Sequence, residues 1–149
     1  MKTILQIFIF IPFVLNAQNP DWVTVSSTYS SQQTVEILQK VIQEKGFKLF
    51  ATINHSQEAE AGGLKLRPTV LLILGNPKAG TGLMNCDQKI GIDLPLKILV
   101  WEDSNGQVKA GFTNPESFLK EYDLMNCKEV LPKMKAALQE LLTSVAKKM

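Results

Sequence analysis

A continuous apolar run at residues 69–74 sets the first requirement on the fold. It follows Pro68 and ends in Gly75-Asn76-Pro77, a sequence typical of a turn. The run is too short for an ordinary helix, and its lack of alternation favours a strand that is buried on both faces. We therefore predict a sheet in which this strand is central and covered from both sides.

Two further strands are predicted on either side of a tight turn. Residues 96–102 and 107–112 flank Asp103-Ser104-Asn105-Gly106, and Asn-Gly is a strong hairpin signal. We expect these strands to pair antiparallel. Two earlier strands are predicted at residues 22–29 and 47–54.

The alternation within residues 47–54 assigns its side chains to two faces. Leu49, Ala51 and Ile53 are predicted on one face, and Phe50 and Thr52 on the other.

The first helix is predicted at residues 31–45. Ser30 and Gln33 form a capping-box pattern at its start, and Gly46 follows its end. Residues 56–66 are expected to form a short helical turn and loop, and residues 78–95 a long, weakly helical connection.

Two helices are predicted at the C-terminal end of the chain. A short one begins at Asn114-Pro115 and ends near Tyr122. A longer one covers about residues 127–147, with Asn126 and Glu129 in a capping pattern. Its core face is an apolar stripe at helical spacing: Val130, Leu131, Met134, Leu138, Leu141, Leu142 and Val145.

This order of elements predicts an α+β fold. We expect a mostly antiparallel sheet of four to five strands with helices packed on one face. The length of 149 residues suits a single domain, which would cover residues 18–149. Apolar residues make up 45% of the chain and charged residues 20%, values typical of a globular protein. A net charge of +2 without a dense basic run argues against nucleic acid as a partner.

The N-terminus has the layout of a secretory signal peptide. Residues 4–15 are apolar except for Gln6, follow Lys2 and precede the small residue Ala17. We predict a signal peptide at residues 1–17, cleavage after Ala17, and a periplasmic or secreted product that is not an integral membrane protein. An uncleaved anchor and a buried strand of the mature fold are the alternatives.

Cys86 and Cys127 are the two cysteines of the chain. No CxxC motif or His at ligand spacing accompanies them, so a zinc site is not indicated. In an oxidising compartment they could form one disulfide. Two separate thiols are the alternative, since spacing alone does not show whether the residues meet.

Several segments resemble the family called domain of unknown function 302. The longest is residues 67–81, which contains Gly75-Asn76-Pro77-Lys78-Ala79-Gly80-Thr81. The others, in the same order as in the family, are Lys45-Gly46-Phe47, Ile53-Asn54-His55, Gly91-Ile92-Asp93-Leu94-Pro95-Leu96-Lys97 and Leu99-Val100-Trp101-Glu102-Asp103. The resemblance covers residues 22–124 and implies a TATA-binding-protein-like β-α-β4-α arrangement. It implies no particular activity or cofactor. The chain departs from the family at Glu121-Tyr122-Asp123, where Arg-His-Gly is common.

The glycine-rich segment at residues 75–82 is the first candidate for chemistry. A strand followed by such a turn can bind an anion through backbone N–H groups, with Lys78 adding charge and Asn76 and Thr81 adding polar atoms. It lacks the arrangement of a nucleotide P-loop. A tight turn without a ligand is the alternative interpretation.

His55 is the single histidine of the chain, at the predicted end of the second strand. It could act as a base or ligand contact, or serve as a structural residue. Trp101 is predicted to belong to the core.

Three functional hypotheses remain open. The first is a binding module for a small ligand near His55, Asn76, Lys78 and Thr81. The second is an enzyme with His55 as acid or base and Lys78 as its electrostatic partner. The third is a structural domain that forms homodimers through its sheet or its C-terminal helix. The first two expect His55 and Lys78 in one cleft.

Overall fold

The structure is a computed structural model that describes residues 21–146. The predicted signal peptide and its cleavage site lie outside these residues. The elements, in chain order, are β1 (Trp22–Ser26), α1 (Ser31–Glu44), β2 (Lys48–Asn54), α2 (His55–Ala61), β3 (Thr69–Gly75), α3 (Pro77–Cys86), β4 (Leu96–Glu102), β5 (Val108–Thr113) and α4 (Val130–Thr143). Single stretches of 3-10 helix cover Gln88–Ile92 and Pro115–Lys120.

The five strands form one antiparallel sheet in the order β1-β5-β4-β3-β2. The predicted hairpin joins β4 to β5. In its turn, the Asp103 carboxylate accepts hydrogen bonds from the backbone N–H groups of Asn105 and Gln107, and Gly106 has a φ of +77°. These N–H donors lower the pKa of Asp103 because they favour its ionised form.

Helices α1 and α4 pack on one face of the sheet and bury the core. Leu38 and Ile42 of α1 and Leu138 of α4 are almost completely buried together with alternate residues of the strands. The strand residues in this core are Val70, Leu72, Leu74, Leu96, Ile98, Val100, Val108, Ala110 and Phe112. The predicted α+β class, with helices on one face of an antiparallel sheet, is confirmed.

The two-sided burial predicted for residues 69–74 is wrong. β3 lies next to the edge strand β2, and β4 is the central strand. Val70, Leu72 and Leu74 are buried under the helices, whereas Leu71 and Ile73 on the opposite face remain half-buried. An apolar run looks the same in sequence whether or not its second face is covered, so the run alone could not distinguish the cases.

The face assignment in β2 is also wrong, because the strand contains a bulge. Leu49 pairs with Leu74, but the next pair is Ala51 with Ile73. The inserted residue reverses the alternation, since each position along a strand changes face. Thr52 therefore turns toward α1, where its hydroxyl accepts a hydrogen bond from Gln39.

Helix α4 begins later than predicted. The chain from residue 125 to 129 forms turns with hydrogen bonds between residues three apart, such as Cys127 N–H to the Leu124 carbonyl. Glu129 occupies the N-cap position and makes no side-chain capping bond, so the predicted capping box at Asn126 is absent. The apolar stripe of the helix does face the core. Among residues 21–146, no helix is both long enough and apolar enough to cross a membrane.

Candidate functional site

A largely apolar cleft of about 470 Å³ lies at one end of the sheet. β3 ends there at Gly75, which pairs with Lys48 at the start of β2. The wall on the strand side is formed by Phe47, Phe50 and the segment from Leu94 to Leu96. Helices α3 and α4 form the other walls.

The backbone N–H groups at the start of α3 are already hydrogen-bonded within the segment. The segment predicted as a glycine-rich turn is the first part of this helix, with Asn76 as its N-cap. The Asn76 side chain accepts hydrogen bonds from the N–H groups of Lys78 and Ala79, and the Asn76 backbone carbonyl accepts one from the Gly80 N–H group. Pro77 has no N–H group. This segment therefore does not offer free backbone N–H groups to an anion, because Asn76 already accepts hydrogen bonds from them.

Of the three predicted ligand residues in α3 and its N-cap, two line the cleft and one does not. Asn76 and Thr81 are part of the lining, together with Gly80 and Met84 on the same side of α3. Lys78 is exposed and lies outside the lining. The lining of α3 includes Gly80 and Met84, which lie one turn apart, and Lys78 is rotated about 200° from Gly80.

His55 lies at the opposite end of the sheet. It is the exposed first residue of α2, a helix capped by the Asn54 side chain, which accepts a hydrogen bond from Gln57 N–H. Asn54 pairs with Val70, and Lys48 pairs with Gly75, so β2 and β3 run antiparallel. Six residues of strand, about 20 Å, separate the level of His55 from the cleft. The expectation of one cleft for His55 and Lys78 is wrong.

The cleft wall around Leu94 is anchored by Tyr122. Its hydroxyl donates a hydrogen bond to the Asp93 carboxylate, and the Lys97 ammonium donates one of 2.7 Å to the Asp93 carbonyl. The bond to Asp93 raises the pKa of Tyr122 to about 12, and partial burial of the hydroxyl acts in the same direction. The sequence pattern marks Tyr122 only as a departure from the family and does not predict this role.

A neighbouring carboxylate holds the same two segments together. Asp87 accepts hydrogen bonds from the backbone N–H groups of Lys89 and Asp123. The Lys89 N–H bond is the main cause that lowers the pKa of Asp87. Segments 87–93 and 121–123 are thus joined by two hydrogen-bonded carboxylates beside the cleft.

Tyr122 should ionise only at strongly alkaline pH. Subtracting the ultraviolet titration of a Tyr122→Phe variant from that of the wild type isolates Tyr122, and the difference should have its midpoint near pH 12. Because the folded pKa is raised, the stability from this bond is present below about pH 10 and is lost as the pH rises toward 12. A difference curve centred near 10 in the folded protein would contradict the bond.

The disulfide joins two walls of the cleft. Cys86, the last residue of α3, is bonded to Cys127, and their Cα atoms are 6.4 Å apart, within the usual range. Cys127 lies three residues before α4 begins. The pairing that sequence left open is thus the link that fixes α3 beside the start of α4.

Within residues 21–146, no group of three His, Cys, Asp or Glu side chains could hold a metal ion. The polar side chains on the cleft lining are Asn76, Thr81 and Lys133. With the amide oxygen of Asn76 engaged in capping, Thr81 and Lys133 can offer a hydroxyl and an ammonium group to a bound molecule.

Comparison with known proteins identifies relatives of the whole folded region. The family model described as Domain of unknown function DUF302 matches residues 23–141. The crystal structure of the uncharacterized conserved protein DUF302 from Bacillus stearothermophilus is similar, with a TM-score of 0.74 and 24% identity. The match covers 85% of this chain and 98% of that one. At this identity the likeness concerns the fold.

Curated relatives include longer proteins from Brucella. Fluoride-specific ion channel FluC 1 of Brucella suis biovar 1 (strain 1330) is 37% identical over 102 residues, which is 68% of this chain and 40% of that protein. Fluoride-specific ion channel FluC 2 of Brucella melitensis biotype 1 is also 37% identical over 102 residues, 38% of its length. The chain thus spans about 40% of the length of these relatives.

Proposed function

The chain belongs to the family described as Domain of unknown function DUF302, and we propose that it is a binding module for a small, largely apolar ligand. The cleft between β2, β3, α3 and α4 carries this proposal. Its volume of about 470 Å³ lies within the range typical of small-molecule sites, about 300–1,000 Å³. Such sites are mostly apolar with a few polar groups that orient the ligand, as this one is.

The chemistry of the lining favours an apolar body with one acidic group. Phe47, Leu94, Val130 and Met134 would contact the apolar part. Lys133 is exposed on α4 at the lining and would pair with an acidic group. The backbone of α3 supplies no such charge recognition, because Asn76 occupies the N–H groups at its start.

Two bonds, one covalent and one hydrogen bond, hold the walls of the cleft together. The Cys86–Cys127 bond ties α3 to the segment before α4, and the Tyr122–Asp93 bond holds the strand-side wall. A preformed pocket loses less conformational entropy when a ligand binds. This supports binding rather than a purely structural role for the cleft.

We also propose that the protein is exported. The apolar run at residues 4–15 behind Lys2 supports this, and so does the disulfide, since such bonds persist mainly in oxidising compartments. The ion-channel activity named for the Brucella relatives belongs to longer proteins, of which this chain spans about 40%, and is not proposed here.

The enzyme hypothesis loses its geometric basis. It required His55 and Lys78 near one substrate, and the antiparallel pairing of β2 and β3 places them at opposite ends of the sheet. No catalytic role is proposed for either residue.

Filling the cleft should weaken binding of an apolar anion. The probe is 1-anilinonaphthalene-8-sulfonate, whose fluorescence rises in apolar surroundings. Ala137→Phe places a ring in the cleft, whereas Ala136→Phe makes the same change at the exposed neighbouring position of α4, outside the lining. We expect A137F to weaken binding at least about tenfold, and A136F to leave it unchanged within about twofold.

A second comparison tests the acidic group. Lys133→Gln should weaken binding of the sulfonate probe but not of the neutral N-phenyl-1-naphthylamine, because the latter carries no charge to pair. Failure of the wild type to bind either probe, or equal loss in A136F and A137F, would contradict the proposed cleft.

A further inference from the structure

Within residues 21–146, the sheet face opposite the helices is largely apolar, and the helices that bury the core do not cover it. Six large apolar side chains lie on it, and we call this surface the open face: Trp22, Ile53, Leu71, Ile73, Leu99 and Trp101. None of the six belongs to the hydrophobic core, and each retains solvent exposure, with Trp22 42% exposed. The prediction that Trp101 is a core residue is wrong.

The register shows that the apolar side chains are contiguous. Leu99 lies at the centre, between Leu71 on β3 and Gly111 on β5. Ile53 continues the same row, since it pairs with Leu71. At Gly111 a Cβ atom would lie 2.7 Å from the Thr24 side chain, so the absence of a side chain there is required by close packing.

The two tryptophans approach each other across this surface. Trp22 and Trp101 form an edge-to-face pair with ring centroids 6.3 Å apart, although their strands are separated by β5. They are the only tryptophans in the sequence. Tryptophans are typical anchors of protein interfaces because each buries a large area with little loss of side-chain freedom.

The charged side chains of this face lie toward the strand ends and already have partners. Lys97 donates to the Asp93 carbonyl, and the Lys109 ammonium lies 3.4 Å from an Asp103 carboxylate oxygen. Lys48, on the edge strand, lies 4.8 Å from the centroid of the Phe50 ring. The centre carries no charge, so an identical surface can cover it without burying an unpaired ion.

The size of the face suits a sheet-on-sheet contact. Five strands spaced about 4.8 Å apart, each with five to seven residues, span about 24 by 20 Å, or roughly 480 Å² in plane. Because side chains project from the plane, the accessible area of the face is larger than this. It approaches the area that each partner buries in the smaller specific interfaces, about 600 Å². Two such faces can pack about 10 Å apart, with their apolar side chains interdigitated.

From this surface we propose that the protein forms a homodimer through its open face. A second copy supplies a largely apolar surface of the same dimensions with no charge at its centre, whereas a strongly charged partner would find no complementary charge there. This inference is independent of the cleft, which lies at the sheet end and is lined mainly by the strand ends and by α3 and α4.

Sedimentation velocity of the exported chain over a range of concentrations tests the dimer. The wild type should be dimeric at micromolar concentration and dissociate on dilution, with a red shift of tryptophan emission because both tryptophans become hydrated. Leu99→Lys should raise the dissociation constant at least about 100-fold, since it places a charge at the centre of each face. Leu64→Lys, at a loop residue that is 70% exposed, is the matched control and should remain dimeric.

A second variant keeps the test decisive if L99K does not fold, as judged by circular dichroism. Thr24→Arg changes an exposed position of the same face, beside Gly111, and should also give monomers. A wild type that stays monomeric up to millimolar concentration would overturn the proposal. So would dimers that persist in folded L99K or T24R, or a face that binds only lipid vesicles or another protein.

Discussion

Removal of the disulfide should lower the free energy of unfolding by about 4 kcal/mol. The bond closes a loop between residues 41 positions apart, and in the chain-entropy model a crosslink of this span destabilises the unfolded state by that amount. A Cys86→Ala and Cys127→Ala double variant should show this loss by chemical denaturation.

Reductant provides the control for the disulfide. It should lower the denaturation midpoint of the wild type toward that of the double variant and leave the double variant unchanged. A wild type that is insensitive to reductant, although its thiols are shown to be free after treatment, would contradict a stabilising bond.

The intact mass of protein recovered from a secreting host tests the export proposal. A chain that still begins at Met1 would overturn cleavage after Ala17.

Leu138→Ala on α4 should lower the free energy of unfolding by about 2–5 kcal/mol. The side chain is 1% exposed and packs in the core between the helix and the sheet. Its removal loses transfer free energy and leaves a cavity that the surroundings fill only in part.

An exposed leucine provides the matched control for this variant. Leu64→Ala removes the same atoms at a position that is 70% exposed, and it should change the free energy of unfolding by less than about 0.5 kcal/mol. Equal denaturation midpoints for Leu138→Ala and the wild type would show that α4 is peripheral to the core.

Local signals in the sequence predicted much of the secondary structure. The capping box of Ser30 and Gln33 starts α1 as expected, with both of its hydrogen bonds formed. Asn105-Gly106 turns β4 into β5, and the stripe of α4 faces the core. Each of these signals depends on residues within a few positions of one another, so the sequence contains the whole interaction.

The candidate site was predicted only in part, because most of its residues are far apart in the sequence. Asn76 and Thr81 were identified from a continuous motif and do line the cleft. Phe47 and Met134, which line it with them, are distant in sequence. Phe47 belongs to a family segment and Met134 to the apolar stripe of α4, and neither pattern predicts a cleft. His55 was grouped with Lys78 because the direction of β2 relative to β3 was unknown.

The sequence by itself determined the class of fold, the caps and turns, the face of α4 that is buried and the family. Only the tertiary structure decided that Cys86 meets Cys127 and that a bulge turns Thr52 toward α1. It also decided that, within residues 21–146, one face of the sheet lies outside the core with Trp101 on it. The physical reason is that caps, turns and amphipathic periodicity arise from neighbouring residues. Strand direction, register and the layer that covers a strand are set by contacts between residues far apart in the chain.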